Sequence, residues 1–234
     1  MKRIGTTISI AITLCTTPFN VNDSIADTIP LLVEEVDSDY LFTTLSYLTS
    51  FPDRSTYEVQ EEVIAFIGAE LGNAGATIQL HEYELYGQTW HNVVATVPAN
   101  ASLDPSEPHL VVGAHIDSVP ACPGADDNAS GVSAILETAR VLANADLTMR
   151  VDFVFFTKEE GGHEGSEAYA ADARASGEQI VAMIAVDMVG FGPANEDLDL
   201  VTKPAMAWIV EAFNEGVQTY TSLDTTLLIQ ESCG

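Results

Sequence analysis

Basic residues are scarce in this chain of 234 residues, in which 8 Lys and Arg stand against 35 Asp and Glu. The net charge of -27 would repel a nucleic-acid backbone, so nucleic acids and other polyanions are excluded as partners. The acids are scattered between apolar runs, and hydrophobic residues make up 47% of the chain. This pattern excludes a disordered acidic tail and is typical of a globular domain with a charged surface.

The first apolar stretch is too short to span a membrane. Ile4 to Leu14 is well below the roughly 18 residues that a membrane-spanning helix requires, and two basic residues precede it. Small residues at Ser24 and Ala26 match the positions that a signal peptidase inspects. We therefore predict a signal peptide over residues 1–26 and a secreted or periplasmic protein without stable membrane insertion. Residues 27–234 are expected to form one domain.

Cysteine is also rare, with 3 in the chain. Cys15 would leave with the signal peptide, while Cys122 and Cys233 would reach an oxidising compartment. There they could pair with each other or with a thiol outside this chain. The sequence does not decide between these pairings.

Short apolar runs alternate with helical patterns along the rest of the chain. Runs without polar alternation predict strands that are covered on both faces, at residues 93–97, 110–114, 151–156 and 181–186. Apolar residues at helical spacing predict amphipathic helices over residues 59–71, 132–142 and 168–175. The sequence therefore predicts a three-layer α/β domain, whose ligand site lies beyond the carboxyl ends of its strands.

Polar residues follow the second predicted strand at its carboxyl end. His115 and Asp117 alternate along the chain there, so both side chains point to the same side. One can bind a metal ion while the other accepts the second ring N–H of the histidine and fixes its tautomer. The alternative is an ordinary hydrogen-bonded pair at the surface.

A turn with the sequence GADDNASG follows and leads into the second predicted helix. Its two adjacent aspartates, Asp126 and Asp127, could simply cap that helix. The small residues around them also leave room for the close approach of a metal ion. This second interpretation gains weight because the turn comes so soon after His115 and Asp117.

Acidic residues also end the third and fourth predicted strands. Glu159 and Glu160 follow residues 151–156, and their side chains diverge, so one can bind a metal ion while the other acts as a general base toward water. Asp187 follows residues 181–186. Solvated surface charge is the alternative for the glutamates, and loop capping for Asp187.

Together these strand ends offer one imidazole and several carboxylates at the edge where a parallel sheet binds ligands. Mixed nitrogen and oxygen ligands suit zinc. The carboxylates suffice for two ions about 3.5 to 4 Å apart that share a bridging carboxylate. The sequence therefore predicts hydrolysis by a metal-activated water.

The motifs AHIDS, GADDNASG, KEEGGHEGS and AVDMVGF, in this order, resemble those of the zinc aminopeptidases of peptidase family M28. The resemblance covers about residues 92–234 and implies a mostly parallel mixed sheet flanked by helices. It implies two zinc ions, with peptide or protein N-termini as substrates. The implied site residues are His115 and Asp187 on one zinc, Asp127 bridging both, Glu160 on the other, Glu159 as general base and Asp117 as the partner of His115.

Two features depart from the family pattern. His163 stands where family members often have leucine, and an exposed surface position is expected for it. The family's last zinc ligand is a histidine near the end of the domain, but this sequence has no histidine after His163. We expect a C-terminally incomplete chain that is inactive through the loss of this ligand. A naturally short chain, in which His163 or water substitutes, remains the alternative.

Other functions on related folds are also open. A glutaminyl-cyclase-like enzyme is disfavoured because the GADDNASG turn keeps both aspartates, which favours two metal ions. A non-catalytic receptor or scaffold relative would usually have lost several ligands, whereas His115, Asp127, Glu160 and Asp187 are all present. The preferred N-terminal residue and the oligomeric state are not predicted.

Overall fold

The structure is a computed structural model that describes residues 23–98, 100–192 and 198–231. The described chain divides into two compact units. One comprises residues 39–190, and the other draws on residues up to 38 and from 191 onward. Most of the predicted signal peptide, and Cys233, lie outside the described residues, so the signal peptide, the pairing of Cys122 and the single domain over 27–234 stay predictions.

A five-stranded sheet forms the centre of the unit of residues 39–190. Its strands are β1 (Thr77–Leu85), β2 (Gln88–Val97), β3 (His109–His115), β4 (Arg150–Phe156) and β5 (Ile180–Ala185). Their order is β1-β2-β4-β3-β5. The pairs β1–β2 and β2–β4 are antiparallel, whereas β3 is parallel to both β4 and β5. This confirms the expected mixed sheet.

The helices of the chain up to residue 190 are α1 (Asp23–Glu34), α2 (Ser38–Leu48), α3 (Tyr57–Ala74), α4 (Gly131–Leu142) and α5 (Glu164–Ser176). Thr56 caps α3 by accepting a hydrogen bond from the Val59 N–H, and Gly75 ends it in a left-handed conformation with φ of 100°. The predicted helices over 59–71, 132–142 and 168–175 are therefore confirmed, each with slightly wider bounds.

The centre of the sheet is buried because β3 and β4 have mostly apolar side chains on both faces. Every residue of both strands is buried. On one face Val94, Val154 and Phe156 form a core that packs against Tyr169 of α5. The alternate residues Phe153 and Phe155 are equally inaccessible and point to the opposite face, where α3 and α4 contact the sheet. The result is the expected three-layer arrangement. The prediction that the strand at 181–186 is covered on both faces is wrong, because β5 is an edge strand of this sheet and Val181 and Met183 are exposed.

The second unit contains a small parallel sheet of β6 (Leu198–Thr202) and β7 (Thr225–Ile229). Helix α6 (Ala207–Tyr220) connects the two strands and contacts both. Val210 and Val217, seven residues apart, form its buried stripe. No helix among the described residues has both the length and the apolar character needed to cross a bilayer.

Candidate metal centre

The centre of the candidate site is the end of β3. His115 is the last residue of this strand and only 5% exposed, and the Ile116 N–H donates to the Phe156 carbonyl of β4 at 2.8 Å. Parallel pairing thereby continues one residue beyond the strand. The imidazole and the chain that follows β4 are held at the same edge of the sheet.

Three acidic side chains surround the imidazole of His115. Nε2 lies 3.1 Å from an Asp127 oxygen and 3.6 Å from an Asp187 oxygen, and Nδ1 lies 3.5 Å from Asp117. One donor atom each from His115, Asp127 and Asp187 falls within 4.8 Å of the others, which suits a shared cation. The structure thus brings together three residues that are far apart in sequence.

The protonation of His115 follows from these neighbours. Burial lowers its pKa, but the carboxylates of Asp117 and Asp187 beside the ring outweigh burial and raise the pKa to about 10. Without a metal ion the imidazole therefore carries a proton at neutral pH. The site is built to hold positive charge at this position.

Asp117 connects the two strand ends. One of its oxygens accepts the Glu159 N–H at 3.0 Å, and the other accepts the Glu160 N–H at 3.1 Å. The carboxylate is only 2% exposed, so these bonds are shielded from water. Asp117 therefore fixes the backbone that carries both glutamates, in addition to facing the ring of His115.

Glu159 and Glu160 form a second group of donor atoms with His115, again within 4.8 Å of one another. The Oε1 atom of Glu160 is buried, with no hydrogen-bond partner among the described residues. Burial raises the pKa of Glu160, and the negative charge of Asp127 raises it further. A buried carboxylate oxygen without a partner, next to other carboxylates, is what a cation would stabilise.

The GADDNASG turn is fixed to the end of β5. Asn128 donates from its side chain to the Val186 carbonyl at 2.9 Å, and Asp126 accepts the Gly190 N–H at 2.8 Å. Asp127 faces His115, so the two adjacent aspartates have different surroundings. The residue pattern alone did not separate them, whereas the family resemblance implied Asp127 as the ligand. In the structure Asp126 holds the segment after Asp187, while Asp127 points into the site.

Asn92 on β2 supports the site and was missed from the sequence. It is fully buried, accepts the Thr157 N–H at 2.9 Å and donates to the Gly165 carbonyl at 2.9 Å. Because β2 runs antiparallel to β4, its first half lies at the site end of the sheet. An asparagine directly before the apolar run 93–97 was the sequence signal that could have indicated this position.

We expect Gly165→Ala to destabilise the protein and loosen the segment that carries the glutamates. A Cβ at this position would lie 2.2 Å from the Thr157 carbonyl oxygen and 2.7 Å from Asn92. Overpacking against backbone costs about 1–3 kcal/mol or more. Thermal unfolding measures the loss. Gly68→Ala is the control, because its Cβ would meet only Ile78, at an ordinary contact distance of 3.8 Å. Gly177→Ala is unsuitable as a control, because the positive φ of Gly177 would itself strain an alanine.

His163 is exposed, as expected from its place in the sequence. Its side chain is 66% exposed, and Nδ1 lies 2.8 Å from an Oε1 oxygen of Glu159. His163 is not a member of the donor groups formed around His115 by the described residues. The structure therefore does not place His163 where a substitute ligand would stand.

A model of the family described as peptidase family M28 matches residues 92–233 of the chain. Leucine aminopeptidase 1 of Fusarium vanettenii is 29% identical over 90% of this chain and 55% of its own length. A probable leucine aminopeptidase of Arthroderma otae is 30% identical over 93% of this chain and 61% of its own length. The chain thus spans little more than half the length of these relatives.

Solved structures resemble the fold. The LapA aminopeptidase of Legionella pneumophila aligns with a TM-score of 0.76 at 19% identity, over 92% of this chain and 60% of that one. A Zn-dependent exopeptidase of Parabacteroides distasonis aligns with a TM-score of 0.62 at 20% identity, over 84% of this chain and 78% of that one. At these identities the likeness shows a common fold.

Proposed function

The chain belongs to peptidase family M28, and on that premise we propose that it is a zinc-dependent aminopeptidase that removes N-terminal residues from peptides. The observation that carries the proposal is the meeting of His115, Asp127 and Asp187 beside the Glu159–Glu160 pair. All of these residues belong to one compact unit. The names of the aminopeptidase relatives and of the zinc-dependent structural neighbour point to the same activity.

The donor set fits zinc. One imidazole nitrogen with carboxylate oxygens is a common zinc environment, and the unpartnered oxygen of Glu160 would gain a cation. His115 and Asp187 would hold one ion and Glu160 the other, with Asp127 bridging both. Two ions also suit the charge, because the mutual repulsion of these neighbouring acids is otherwise relieved only by the proton on His115 and by more distant basic groups.

Glu159 is the proposed general base. Bound zinc would polarise the scissile carbonyl and acidify a water molecule. The Glu159 carboxylate takes a proton from the attacking water as the C–O bond forms, and it delivers that proton to the leaving nitrogen as the C–N bond breaks. Asp117 keeps the Glu159 backbone in place through the hydrogen bond that it accepts.

Charge and the names of the relatives suggest the substrate class. A net charge of -27 attracts the cationic N-terminus of a peptide, and its field extends over roughly a Debye length, about 8 Å at physiological salt. The relatives are named leucine aminopeptidases, so an apolar N-terminal residue such as leucine is proposed. The signal-like start of the sequence supports action outside the cytoplasm.

The test is hydrolysis of leucine p-nitroanilide together with the zinc content of the protein. If the ligands present suffice, we expect two zinc ions per chain, loss of hydrolysis after treatment with a chelator, and recovery when zinc is added back. The absence of a histidine after His163 predicts instead a metal site that is one ligand short, with fewer zinc ions and no turnover, so the same assay decides between the two expectations. An N-acetylated substrate is the control and should resist cleavage. Zinc-loaded, folded protein that leaves the free substrate intact would contradict the aminopeptidase proposal and favour a non-catalytic relative.

A further inference from the structure

Arg54 is a fully buried arginine beneath the candidate metal centre. It lies between α2 and α3, and its side chain is 0% exposed. Its guanidinium donates to four backbone carbonyls. Nε donates to Ile116 at 2.7 Å, Nη2 to Gly124 at 3.1 Å, and Nη1 to Leu48 at 3.2 Å and to Pro123.

The acceptors belong to the two segments that deliver the ligands around His115. Ile116 lies between His115 and Asp117, and Gly124 begins the turn that presents Asp127. One rigid guanidinium therefore connects the end of β3 to the start of that turn. The fit is tight, because a Cβ on Gly124 would lie 2.9 Å from Nη2 of Arg54.

The charge of Arg54 has no carboxylate at ion-pair distance among the described residues. Its guanidinium instead interacts over a longer range with the negative charges of Asp117, Asp127 and Glu160. An isolated buried cation is costly, so it persists only where nearby charge and hydrogen bonds compensate. Here the candidate metal ligands provide the charge and the loop carbonyls provide the hydrogen bonds.

We propose that Arg54 is a positioning residue for the metal centre: it clamps the segments that carry His115, Asp117 and Asp127 and provides a permanent countercharge to their carboxylates. This inference rests on the proposed function. The proposal also accounts for the charge of the site. The positive charge of Arg54 reduces the negative charge of five carboxylates to an amount that two divalent ions neutralise; these carboxylates belong to Asp117, Asp127, Glu159, Glu160 and Asp187.

Lysine could not replace this arrangement. A lysine has a single ammonium with three donors, whereas the guanidinium offers five donors in a fixed plane. Arg54→Lys therefore keeps the positive charge and removes most of the clamp. The Arg54→Lys variant therefore distinguishes positioning from charge. If Arg54 acted only through its positive charge, the variant would bind zinc as tightly as the wild type.

The test measures zinc affinity by competition with a chelator, at a temperature where circular dichroism shows each variant folded. We expect Arg54→Lys to bind zinc about 10- to 100-fold more weakly than the wild type. Ile67→Ala, a fully buried change in α3, is the control and should lower Tm while leaving zinc affinity unchanged. Wild-type zinc affinity in folded Arg54→Lys would overturn the inference.

A second readout needs neither zinc nor activity. In metal-free protein, amide hydrogen exchange over residues 116–124 should be at least about 10-fold faster in Arg54→Lys, with α3 unaffected. If Arg54→Lys fails to fold, Arg54→Gln, which keeps only the donors of one side-chain amide, replaces it and should give at least the same increase. Unchanged exchange would contradict the clamp, whereas a wild type that binds no zinc would contradict only the proposed function.

Discussion

Replacing Glu159 with glutamine should lower kcat by about 10²- to 10⁴-fold while the bound zinc is retained. Glutamine keeps the shape of the side chain and the backbone N–H that bonds to Asp117, but it cannot accept a proton. The proposed ligands His115, Asp127, Glu160 and Asp187 are untouched. The expected result is a folded, metal-loaded protein that binds substrate and does not turn it over.

The measurement pairs steady-state hydrolysis of leucine p-nitroanilide with zinc analysis of the same sample. Glu167→Gln is the matched control, because it removes the same charge from an exposed glutamate in the first turn of α5. It should behave like the wild type. Near-normal turnover in Glu159→Gln would contradict the assignment of Glu159 as the general base. Loss of zinc from the variant would instead indicate that Glu159 is a metal ligand.

Replacing Glu160 with glutamine should have opposite effects on the metal-free and the zinc-loaded protein. Burial and Asp127 raise the pKa of Glu160 above its usual 4.5. A raised pKa in the folded state gives stability that is present below the unfolded pKa and lost as pH rises through the folded value. At neutral pH the ionised carboxylate therefore destabilises the metal-free fold, and the neutral amide relieves this cost.

Zinc binding should respond in the other direction. Loss of the Glu160 carboxylate is expected to weaken zinc binding by at least about 100-fold, beyond the usual effect of residues that only support a ligand. Thermal unfolding with and without zinc, from pH 4 to pH 8, measures both effects. Glu58→Gln, an exposed change at the start of α3, is the control. A variant less stable than the wild type in both forms would show that Glu160 is a structural residue.

The central strands and their helices could be predicted because burial on both faces leaves a clear pattern. The middle of β3 (110–114) and most of β4 (151–156, apart from Asp152) are apolar, and the site acids follow soon after them. β1 was not predicted because it lies at the sheet edge, where exposed and half-exposed residues such as Leu80 and Tyr83 blur its pattern. The small sheet of β6 and β7 has the same half-exposed character and was also missed.

Strand direction limited the prediction of the site. The rule that ligands lie at the carboxyl ends of strands predicted His115, Glu159 and Asp187, and the structure brings these three residues to one edge of the sheet, beside β3, β4 and β5. β2 runs antiparallel to β4, so the amino-terminal end of β2, not its carboxyl end, lies at the site. The rule therefore did not predict Asn92, which lies near the start of β2. Arg54 was missed for another reason. Three of its four partners are backbone carbonyls more than 60 positions away. Every residue has a backbone carbonyl, so the sequence does not show which ones accept a hydrogen bond from Arg54.

The strand order also bears on how this protein acquires its fold during synthesis. β4 sits between β2 and β3, so the middle of the sheet cannot close until residue 156 has been made. Only the β1–β2 hairpin can form from neighbouring sequence. Long-range pairing of this kind is slow, because loop closure costs entropy before the contacts form. During that interval the apolar β3 segment stays exposed in the nascent chain, and this is the stage at which aggregation threatens it most.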